Sequence, residues 1–243
     1  MKPMPNLFVF SGAGLSAASG IPTFRDENGL WHNHKIDQIC DYTTWKQNAQ
    51  LVHEFYNQRR QHLSTVSANA AHYMIADWQR RYPGSVTVIT QNVDNLLEAA
   101  GCDRVVHVHG LLTRMQCTAC AHVWDVGYHA WDPHEDRCPK CSSRKGVKPG
   151  VVFFNESAPE YAHLYQTIDH LNDASTVVVI GTTSIVVDIQ SLLHQTPGVK
   201  ILNNLEPVRS LDEQYWDHVF YESAHTACDK IDYLVKSRME GSI

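Results

Sequence analysis

Five short apolar runs along the chain each end in polar or glycine-containing residues. They are largely uninterrupted stretches of Val, Ile and Phe, the pattern of parallel strands that are buried on both faces. Stretches of helical character separate them, at 43–64, 67–81, 156–172 and 226–237. Strands that alternate with helices predict an α/β fold with a doubly wound parallel sheet. The runs lie in NLFVFSGAG (6–14), VTVITQNVD (86–94), VVHVHG (105–110), TVVVIGTTS (176–184) and KILNNLEP (200–207).

Two regions interrupt this alternation. Residues 25–85 are mostly helical and polar, and residues 111–155 carry paired cysteines within turns rich in Gly and Pro. We interpret both as insertions that build a smaller second domain beside the sheet. The predicted larger domain comprises 1–30, 86–110 and 156–243, and the predicted smaller domain comprises 31–85 and 111–155.

Composition narrows the class of protein. The chain has 243 residues, of which 43% are hydrophobic and 19% charged, as in soluble globular proteins. Its net charge is −6 without a block of Lys or Arg, so we expect no nucleic-acid partner. No apolar run approaches the length of a membrane span, and the N-terminal run is too short for a signal peptide. We expect a cytoplasmic monomer of bacterial type.

The cysteine spacing is the most specific pattern in the chain. Four of the seven cysteines form two C-x-x-C pairs with 17 residues between them, which can present four thiolates tetrahedrally to Zn²⁺. Four thiolates leave no open coordination position, so this zinc is expected to be structural. A redox pair is the alternative. The predicted ligands are Cys117, Cys120, Cys138 and Cys141.

The segment GAGLSA (12–17), after the first apolar run, matches G-x-G-x-x-A. Gly12 and Gly14 permit a tight turn and the close approach of backbone to a pyrophosphate. The same pattern also occurs in turns that bind no nucleotide. Pro22 ends the following helix early, and no second strand ending in an acid follows, so a redox cofactor is not expected. Glu206 is an alternative ribose-binding acid.

Polar side chains gather where the other strands end, at the edge where such sheets bind ligands. His109 ends one strand and is positioned for a general base, although a chain with 15 histidines offers many unremarkable ones. Gln91, Asn92 and Asp94 follow another strand. Capping of the next helix by Asn92 or Asp94 is the alternative to a binding role, and the two are compatible.

Together these motifs resemble the sirtuin family. GAGLSAASGIPTFRD is similar to the family's nucleotide loop. TQNVDNL, the HG at 109–110, the two C-x-x-C pairs, GTTS at 181–184 and NLEP at 204–207 follow in the family's order and spacing. The resemblance covers residues 6–235 and implies a Rossmann-like domain, a smaller helical and zinc-binding domain, and a reaction in the cleft between them.

The resemblance also implies roles for individual residues. The pyrophosphate and nicotinamide-ribose region would be lined by Gly12, Ala13, Gly14, Ser16, Phe24 and Arg25. The ribose and the nicotinamide carboxamide would be held by Gln91, Asn92 and Asp94. The adenosine half would be held by Gly181, Thr182, Ser184, Asn204, Leu205, Glu206 and the backbone of Ala224. The substrate peptide would pair by main-chain bonds with the segment VVFFNE (151–156), through Val152, Phe153 and Phe154.

The implied chemistry is lysine deacylation with NAD⁺ as co-substrate. The acyl-lysine amide oxygen attacks C1′ of the nicotinamide ribose and displaces nicotinamide. His109 then takes a proton from a ribose hydroxyl, which attacks the acyl carbon. The products would be free lysine, nicotinamide and O-acyl-ADP-ribose. No protein nucleophile is needed, in keeping with the absence of a G-x-S-x-G elbow from the sequence.

Tyr56 and Arg59, in EFYNQRR (54–60), have the Y-x-x-R spacing of the class III sirtuin branch. There such a pair binds the carboxylate of succinyl, malonyl or glutaryl groups. Arg can hold a carboxylate in bidentate fashion while the Tyr hydroxyl donates a further bond. A solvated helix face is the alternative. The sequence departs from the family pattern at Lys148, Asn155 and Asp188, where Arg, Gly and Pro are usual.

Two other functions are compatible with the same residues. The cleft could transfer ADP-ribose to water or to a protein side chain, which would make the protein an NAD glycohydrolase or an ADP-ribosyltransferase. A non-enzymatic module that senses NAD and binds acyl-lysine is the second alternative. His109 and the predicted substrate strand favour deacylation.

Overall fold

The computed structural model describes residues 4–23 and 36–241. Its strands form a six-stranded parallel sheet and a three-stranded antiparallel sheet. The strands are β1 (Asn6–Ser11), β2 (Val86–Thr90), β3 (Val106–His107), β4 (Gly110–Cys117), β5 (Val123–Asp125), β6 (Val147–Val151), β7 (Ser175–Ile180), β8 (Val199–Asn204) and β9 (His218–Tyr221). The large sheet has the order β3-β2-β1-β7-β8-β9, which confirms the predicted α/β fold.

Of the four predicted helical stretches, the first three are longer than the helices they contain, and the last is shorter than its helix. They are α1 (Gly14–Ala17), α2 (Ile36–Ile39), α3 (Ala49–Leu63), α4 (Ala70–Arg81), α5 (Leu96–Ala99), α6 (Tyr161–Asp169), α7 (Ile189–Leu193) and α8 (Ala224–Met239), with a 3₁₀ turn at Glu213–Tyr215. No helix in the described ranges is long and apolar enough to cross a membrane.

Successive side chains of a strand point to opposite faces, and β1 shows how this builds two cores. Leu7 and Val9 pack with α4 and α8 on one face of the sheet. Phe8 and Phe10 pack with α6 and α7 on the other face. Helices therefore cover both faces, as in a doubly wound sheet. Strand β9, at the edge, was not predicted because its four residues are only partly buried and have no long apolar run.

The position of α4 corrects one predicted domain boundary. Residues 31–85 were all assigned to the smaller domain, but Ile75 and Trp78 of α4 are buried in the core beneath the large sheet. The side chain of Asn69 accepts a bond from the N–H of Ala71 at 2.9 Å and fixes the start of α4. The apolar face of α4 continues the large core, so this helix belongs with the large sheet.

Helix α3 is tied to the small sheet by a fully buried arginine. Arg60 donates from Nε to the carbonyl of His129 at 3.1 Å and from Nη1 to the carbonyl of Leu112 at 3.3 Å. A third bond goes from Nη2 to the side-chain oxygen of Asn57. One guanidinium thus satisfies acceptors on three segments. Its role is structural, and it fixes the helix that carries the preceding residue, Arg59.

We expect Arg60→Met to lower the free energy of unfolding by about 2–4 kcal/mol, because buried carbonyls lose their donors. Chemical denaturation with zinc present in excess measures this change. Arg80→Met is the control, because Arg80 is an exposed arginine on α4 and should change stability by less than about 0.5 kcal/mol. Equal stability of the two variants would contradict the role given to Arg60.

Candidate active site

The strand order reverses between β1 and β7, so the loops after these strands face each other at the carboxyl edge of the sheet. Their backbones are in contact. A Cβ on Gly12 would lie 2.8 Å from the carbonyl oxygen of Gly181, and a Cβ on Gly14 would lie 2.6 Å from its Cα. Gly181 also has φ 65°. Glycine is therefore required here by loop packing, in addition to the predicted approach of a ligand.

Ser16 lies at the centre of a buried polar network beneath this edge. Its hydroxyl donates to Oδ2 of Asp94 at 2.9 Å and accepts from the side-chain nitrogen of Asn92 at 3.1 Å. Burial raises the pKa of Asp94, although bonds from Ser16 and from the N–H of Leu96 oppose this effect. The N–H of Leu96, the first residue of α5, donates to Oδ1 of Asp94 at 3.1 Å, so Asp94 supports the start of this helix although Asn95 is its N-cap.

His72 belongs to this network and was not predicted. Its Nε2 lies 3.3 Å from the hydroxyl of Ser16, and its Nδ1 lies 3.2 Å from the N–H of Asn69. Since Nδ1 accepts that bond, the proton of the neutral ring is on Nε2. Burial lowers the pKa of His72 to about 4. The sequence signal was N-x-x-H at residues 69–72, a capping box with His in place of the usual Glu or Gln.

His109 lies between the end of β3 and the start of β4. Its Nδ1 is 3.1 Å from the carbonyl oxygen of Gln91, and its Nε2 is 2.9 Å from the hydroxyl of Tyr161. A carbonyl can only accept, so the neutral ring carries its proton on Nδ1 and presents a lone pair at Nε2. Burial lowers the pKa of His109, with the bond to Gln91 opposing. A neutral imidazole with a defined lone pair is suited to act as a base.

His107, two residues earlier, has both ring nitrogens engaged. Its Nδ1 is 2.7 Å from the carbonyl of Asn92 and its Nε2 is 2.9 Å from a carboxylate oxygen of Glu98. These contacts hold the loop after β2 against β3. His107 therefore has a hydrogen-bonding role within the fold.

The residues expected to hold adenosine converge on the loop after β7. The Thr182 hydroxyl accepts from the side chain of Gln91 at 3.0 Å, and the Thr182 carbonyl accepts from the side chain of Asn204 at 2.9 Å. The hydroxyl of Ser184 bonds within the loop, to the carbonyl of Val187 at 3.2 Å. Leu205 and Glu206 are exposed just after β8, and Ala224 is the first residue of α8. Phe24 and Arg25 lie outside the described residues.

Tyr56 and Arg59 occupy different environments on α3. Tyr56 is buried, stacks on Phe153 with ring centroids 5.7 Å apart, and donates its hydroxyl to the thiol of Cys40 at 3.5 Å. Arg59 is half-buried, with its guanidinium carbon 3.1 Å from the ring centre of Phe55. Burial raises the pKa of Tyr56 and lowers the pKa of Arg59 to about 10. These environments do not support the solvated-face alternative.

The expected substrate strand needs correction. Strand β6 ends at Val151, and main-chain groups beyond it are already paired within the protein. Phe154 donates its N–H to the carbonyl of Cys40 and accepts from the N–H of Tyr42, both at 2.9 Å. Phe153 donates its N–H to the side chain of Glu156 at 2.8 Å. These main-chain groups of Phe153 and Phe154 are therefore used by the fold, and the side chain of Phe153 is buried whereas that of Phe154 is exposed.

The three departures from the family pattern have structural explanations. Asn155 has φ 62°, the left-handed conformation that Gly adopts most easily and Asn tolerates. Asp188 caps α7 by accepting from the N–H of Ser191 at 3.1 Å. Lys148 is fully buried and pairs with Glu156 at 3.2 Å. Lys148 therefore supports the same turn that Glu156 fixes through Phe153.

The four predicted zinc ligands come together. Their sulfur atoms all lie within 4.8 Å of one another, with Cys117 3.6 Å from Cys141 and Cys120 3.7 Å from Cys138. Tetrahedral zinc with Zn–S bonds of about 2.3 Å needs sulfurs about 3.8 Å apart. The set therefore has the dimensions and the donor chemistry of a structural zinc site. It lies in the small sheet, with β4 and β6 beside it.

Comparisons with known proteins agree with this architecture. The Sir2 family model matches residues 12–188. The NAD-dependent protein deacylase of Helicobacter hepaticus is 41% identical over 94% of this chain and 96% of its own length. The protein of the same name from Campylobacter jejuni is 38% identical over 98% of both. A Sir2 homologue in complex with NAD superimposes with a TM-score of 0.82 at 29% identity, covering 96% of this chain and 90% of the other.

The fold, the edge of converging loops and the four-cysteine cluster define a doubly wound α/β protein with a zinc-binding module. The chain belongs to the Sir2 family, the sirtuins. This confirms the family resemblance that the sequence motifs indicated.

We expect Cys117→Ser to lose zinc and to unfold the small sheet, because Cys117 is buried in the cluster and metal binding is coupled to folding. Zinc content falls from about one per chain toward zero. Cys228→Ser is the control, since Cys228 lies on α8, outside the four-cysteine cluster, and its thiol donates to the carbonyl of Ala224 in the same helix at 3.2 Å. Full zinc content and an unchanged melting temperature in Cys117→Ser would contradict the four-thiolate site.

Proposed function

We propose that this chain is an NAD-dependent protein-lysine deacylase that removes succinyl and malonyl groups as well as acetyl groups. Membership of the Sir2 family supports the deacylase activity. One series of contacts carries the acyl preference. The carbonyl of His109 accepts from the N–H of Val152 at 2.8 Å, and the next residue, Phe153, stacks on Tyr56. His109 is thus connected to Tyr56 through the adjacent residues Val152 and Phe153. Tyr56 and Arg59 together form the Tyr–Arg pair.

NAD would be held at the carboxyl edge of the large sheet, by the loops after β1, β2, β7 and β8. When bound, it supplies an electrophilic ribose carbon with nicotinamide as leaving group, and ribose hydroxyls that accept the acyl group. The chain would bind NAD with amide, hydroxyl and carboxyl groups that hold one another in place by hydrogen bonds. The network of Ser16, Asn92 and Asp94 exemplifies this, because each member is positioned before any ligand arrives.

His109 performs the proton transfer in this proposal. Its Nε2 lone pair takes the proton of a ribose hydroxyl while the oxygen of that hydroxyl bonds to the acyl carbon. The O–H bond breaks and an N–H bond forms at Nε2. When the bond between the acyl carbon and the lysine nitrogen breaks, the imidazolium returns the proton to that nitrogen, and one water molecule supplies the oxygen that completes the O-acyl product. The carbonyl of Gln91 stabilises this imidazolium, because it already accepts from Nδ1 at 3.1 Å.

The Tyr–Arg pair suits an acidic acyl group for electrostatic reasons. A partly buried guanidinium attracts an anion more strongly than one in water, and it presents two donors to a carboxylate. The hydroxyl of Tyr56 stays protonated because burial raises its pKa. Its present acceptor, the thiol of Cys40, is a weak one, so a carboxylate can take its place.

Two alternative functions would give different patterns of nicotinamide release. An NAD glycohydrolase or ADP-ribosyltransferase would release nicotinamide without an acyl peptide. A non-enzymatic NAD-sensing module would release nicotinamide equally slowly with His109 and with His109→Ala. The defined tautomer and lowered pKa of His109 favour deacylation, because a binding module has no need of a neutral base.

The pKa of His109 makes a pH prediction. Burial lowers this pKa below its ordinary 6.5, and the base acts only when neutral. Activity should therefore persist as the pH falls through 6.5 and decline only at the lower pKa of the folded protein. The measurement is kcat/KM for lysine release between about pH 5 and pH 9. A midpoint at or above the ordinary value would contradict the buried, neutral base.

Substitution of Arg59 tests the acyl preference. We expect Arg59→Met to lower kcat/KM for a succinyl-lysine peptide by about a hundredfold or more, because the buried carboxylate loses its charged partner. The value for the acetyl-lysine peptide should change by less than about threefold, because acetyl carries no charge. Met retains an apolar side chain over the ring of Phe55.

Gln58→Met is the matched control, because Gln58 is the exposed neighbour of Arg59 on the same helix. It should leave both activities unchanged. Equal loss of both activities in Arg59→Met would mean that Arg59 supports the fold and does not contact the acyl group.

A further inference from the structure

Tyr161 makes a contact that neither the sequence motifs nor the family comparisons assign. It is the first residue of α6. Its hydroxyl lies 2.9 Å from Nε2 of His109, and the two rings are 5.9 Å apart at a tilt of 40°. A phenol therefore contacts the nitrogen that the proposed reaction requires.

The direction of this bond follows from the other side of the ring. Nδ1 of His109 faces the carbonyl of Gln91, so Nδ1 carries the proton and Nε2 of the neutral ring is bare. Tyr161 must then donate its proton into the Nε2 lone pair. Burial raises the pKa of Tyr161, which keeps the hydroxyl protonated over the working range.

A nitrogen lone pair accepts one strong hydrogen bond at a time. The ribose hydroxyl that transfers its proton needs a hydrogen bond to the base of about 2.6–3.2 Å, and Tyr161 already occupies that position. The two hydroxyls compete for one lone pair. Tyr161 holds the ring in the correct orientation, and it has to leave before the proton can move.

We propose that Tyr161 is a positioning residue that occupies Nε2 of His109 in the free protein and is displaced by the ribose hydroxyl of the bound co-substrate. This inference rests on the proposed function, since it takes His109 as the base. Displacement of the Tyr161 hydroxyl therefore weakens binding of the co-substrate but does not slow the proton transfer that follows. Displacement of the phenol enters kcat/KM, whereas kcat begins from the complex in which the phenol has already moved.

The test compares Tyr161→Phe with Tyr165→Phe. Phe keeps the ring of Tyr161 and removes only the hydroxyl. Tyr165 lies one turn further along α6, is exposed, and has its ring 6.2 Å from that of Tyr161, so its hydroxyl is the matched control. Three measurements are made: the steady-state kinetics of lysine release, which give kcat and kcat/KM; the dissociation constant of ADP-ribose; and the exchange of labelled nicotinamide into NAD⁺ with acyl peptide present.

For Tyr161→Phe we expect kcat/KM to rise about two- to tenfold with kcat changed by less than about twofold, the effect of one hydrogen bond. ADP-ribose should bind tighter by a similar factor, and this readout requires no catalysis. Tyr165→Phe should match the wild type in all three measurements. These results together would support displacement of Tyr161 by the ribose.

Two results would overturn the inference. Loss of lysine release with exchange retained in Tyr161→Phe would mean that the phenol is needed after nicotinamide has left, as a proton relay. Unchanged kcat/KM and unchanged ADP-ribose affinity would mean that Tyr161 does not compete for the lone pair. Absence of nicotinamide exchange in the wild type is a separate outcome, and it would overturn the proposed deacylase function itself.

Discussion

The site depends on the contact between the loops that follow β1 and β7. These strands pair in parallel from Asn6↔Ser175 to Ser11↔Ile180, and the strand order reverses at this pair. Gly12, Gly14 and Gly181 bring the two backbones so close that a Cβ on any of them would collide with the opposite loop. This contact fixes the position of both loops at the carboxyl edge of the sheet.

Buried polar groups extend from that contact in three directions. One group centres on Ser16 and includes the carboxyl of Asp94. Another runs through Thr182 and Gln91, whose carbonyl in turn holds His109. A third continues from His109 through Val152 to Phe153 and the Tyr–Arg pair. The groups that would hold the co-substrate, move the proton and recognise the acyl group are therefore mutually positioned.

Much of this arrangement could be predicted from local sequence. Uninterrupted apolar runs identify five of the six strands of the large sheet, and the spacing of the cysteines identifies the four that cluster with the dimensions of a zinc site. The capped helix α4 was assigned to the wrong domain, because its amphipathic pattern does not reveal which core it covers. The main-chain pairing of Phe154 with residues 40–42 was also missed, since it depends on contacts more than a hundred residues apart in sequence.

The most informative residues that sequence reasoning missed are His72 and Tyr161. Each contacts a predicted site residue through a single side-chain atom, and no periodicity or spacing links them to that partner. The sequence contains one signal for His72, the capping-box pattern at the start of α4. The sequence of α6 contains no comparable signal for Tyr161. Such residues are found from distances, because hydrogen bonds between remote segments have no fixed sequence spacing.

The proposed function places deacylation at the carboxyl edge of the large sheet and the selection of acidic acyl groups on α3. The most direct test is kcat/KM of the wild-type protein for one peptide that carries succinyl-lysine and, separately, acetyl-lysine, with NAD⁺. We predict a preference for succinyl-lysine of at least about tenfold, because a charged partner is provided for its carboxylate. Equal values or a preference for acetyl-lysine would contradict the acyl assignment. Consumption of NAD⁺ with neither peptide deacylated would contradict the whole account.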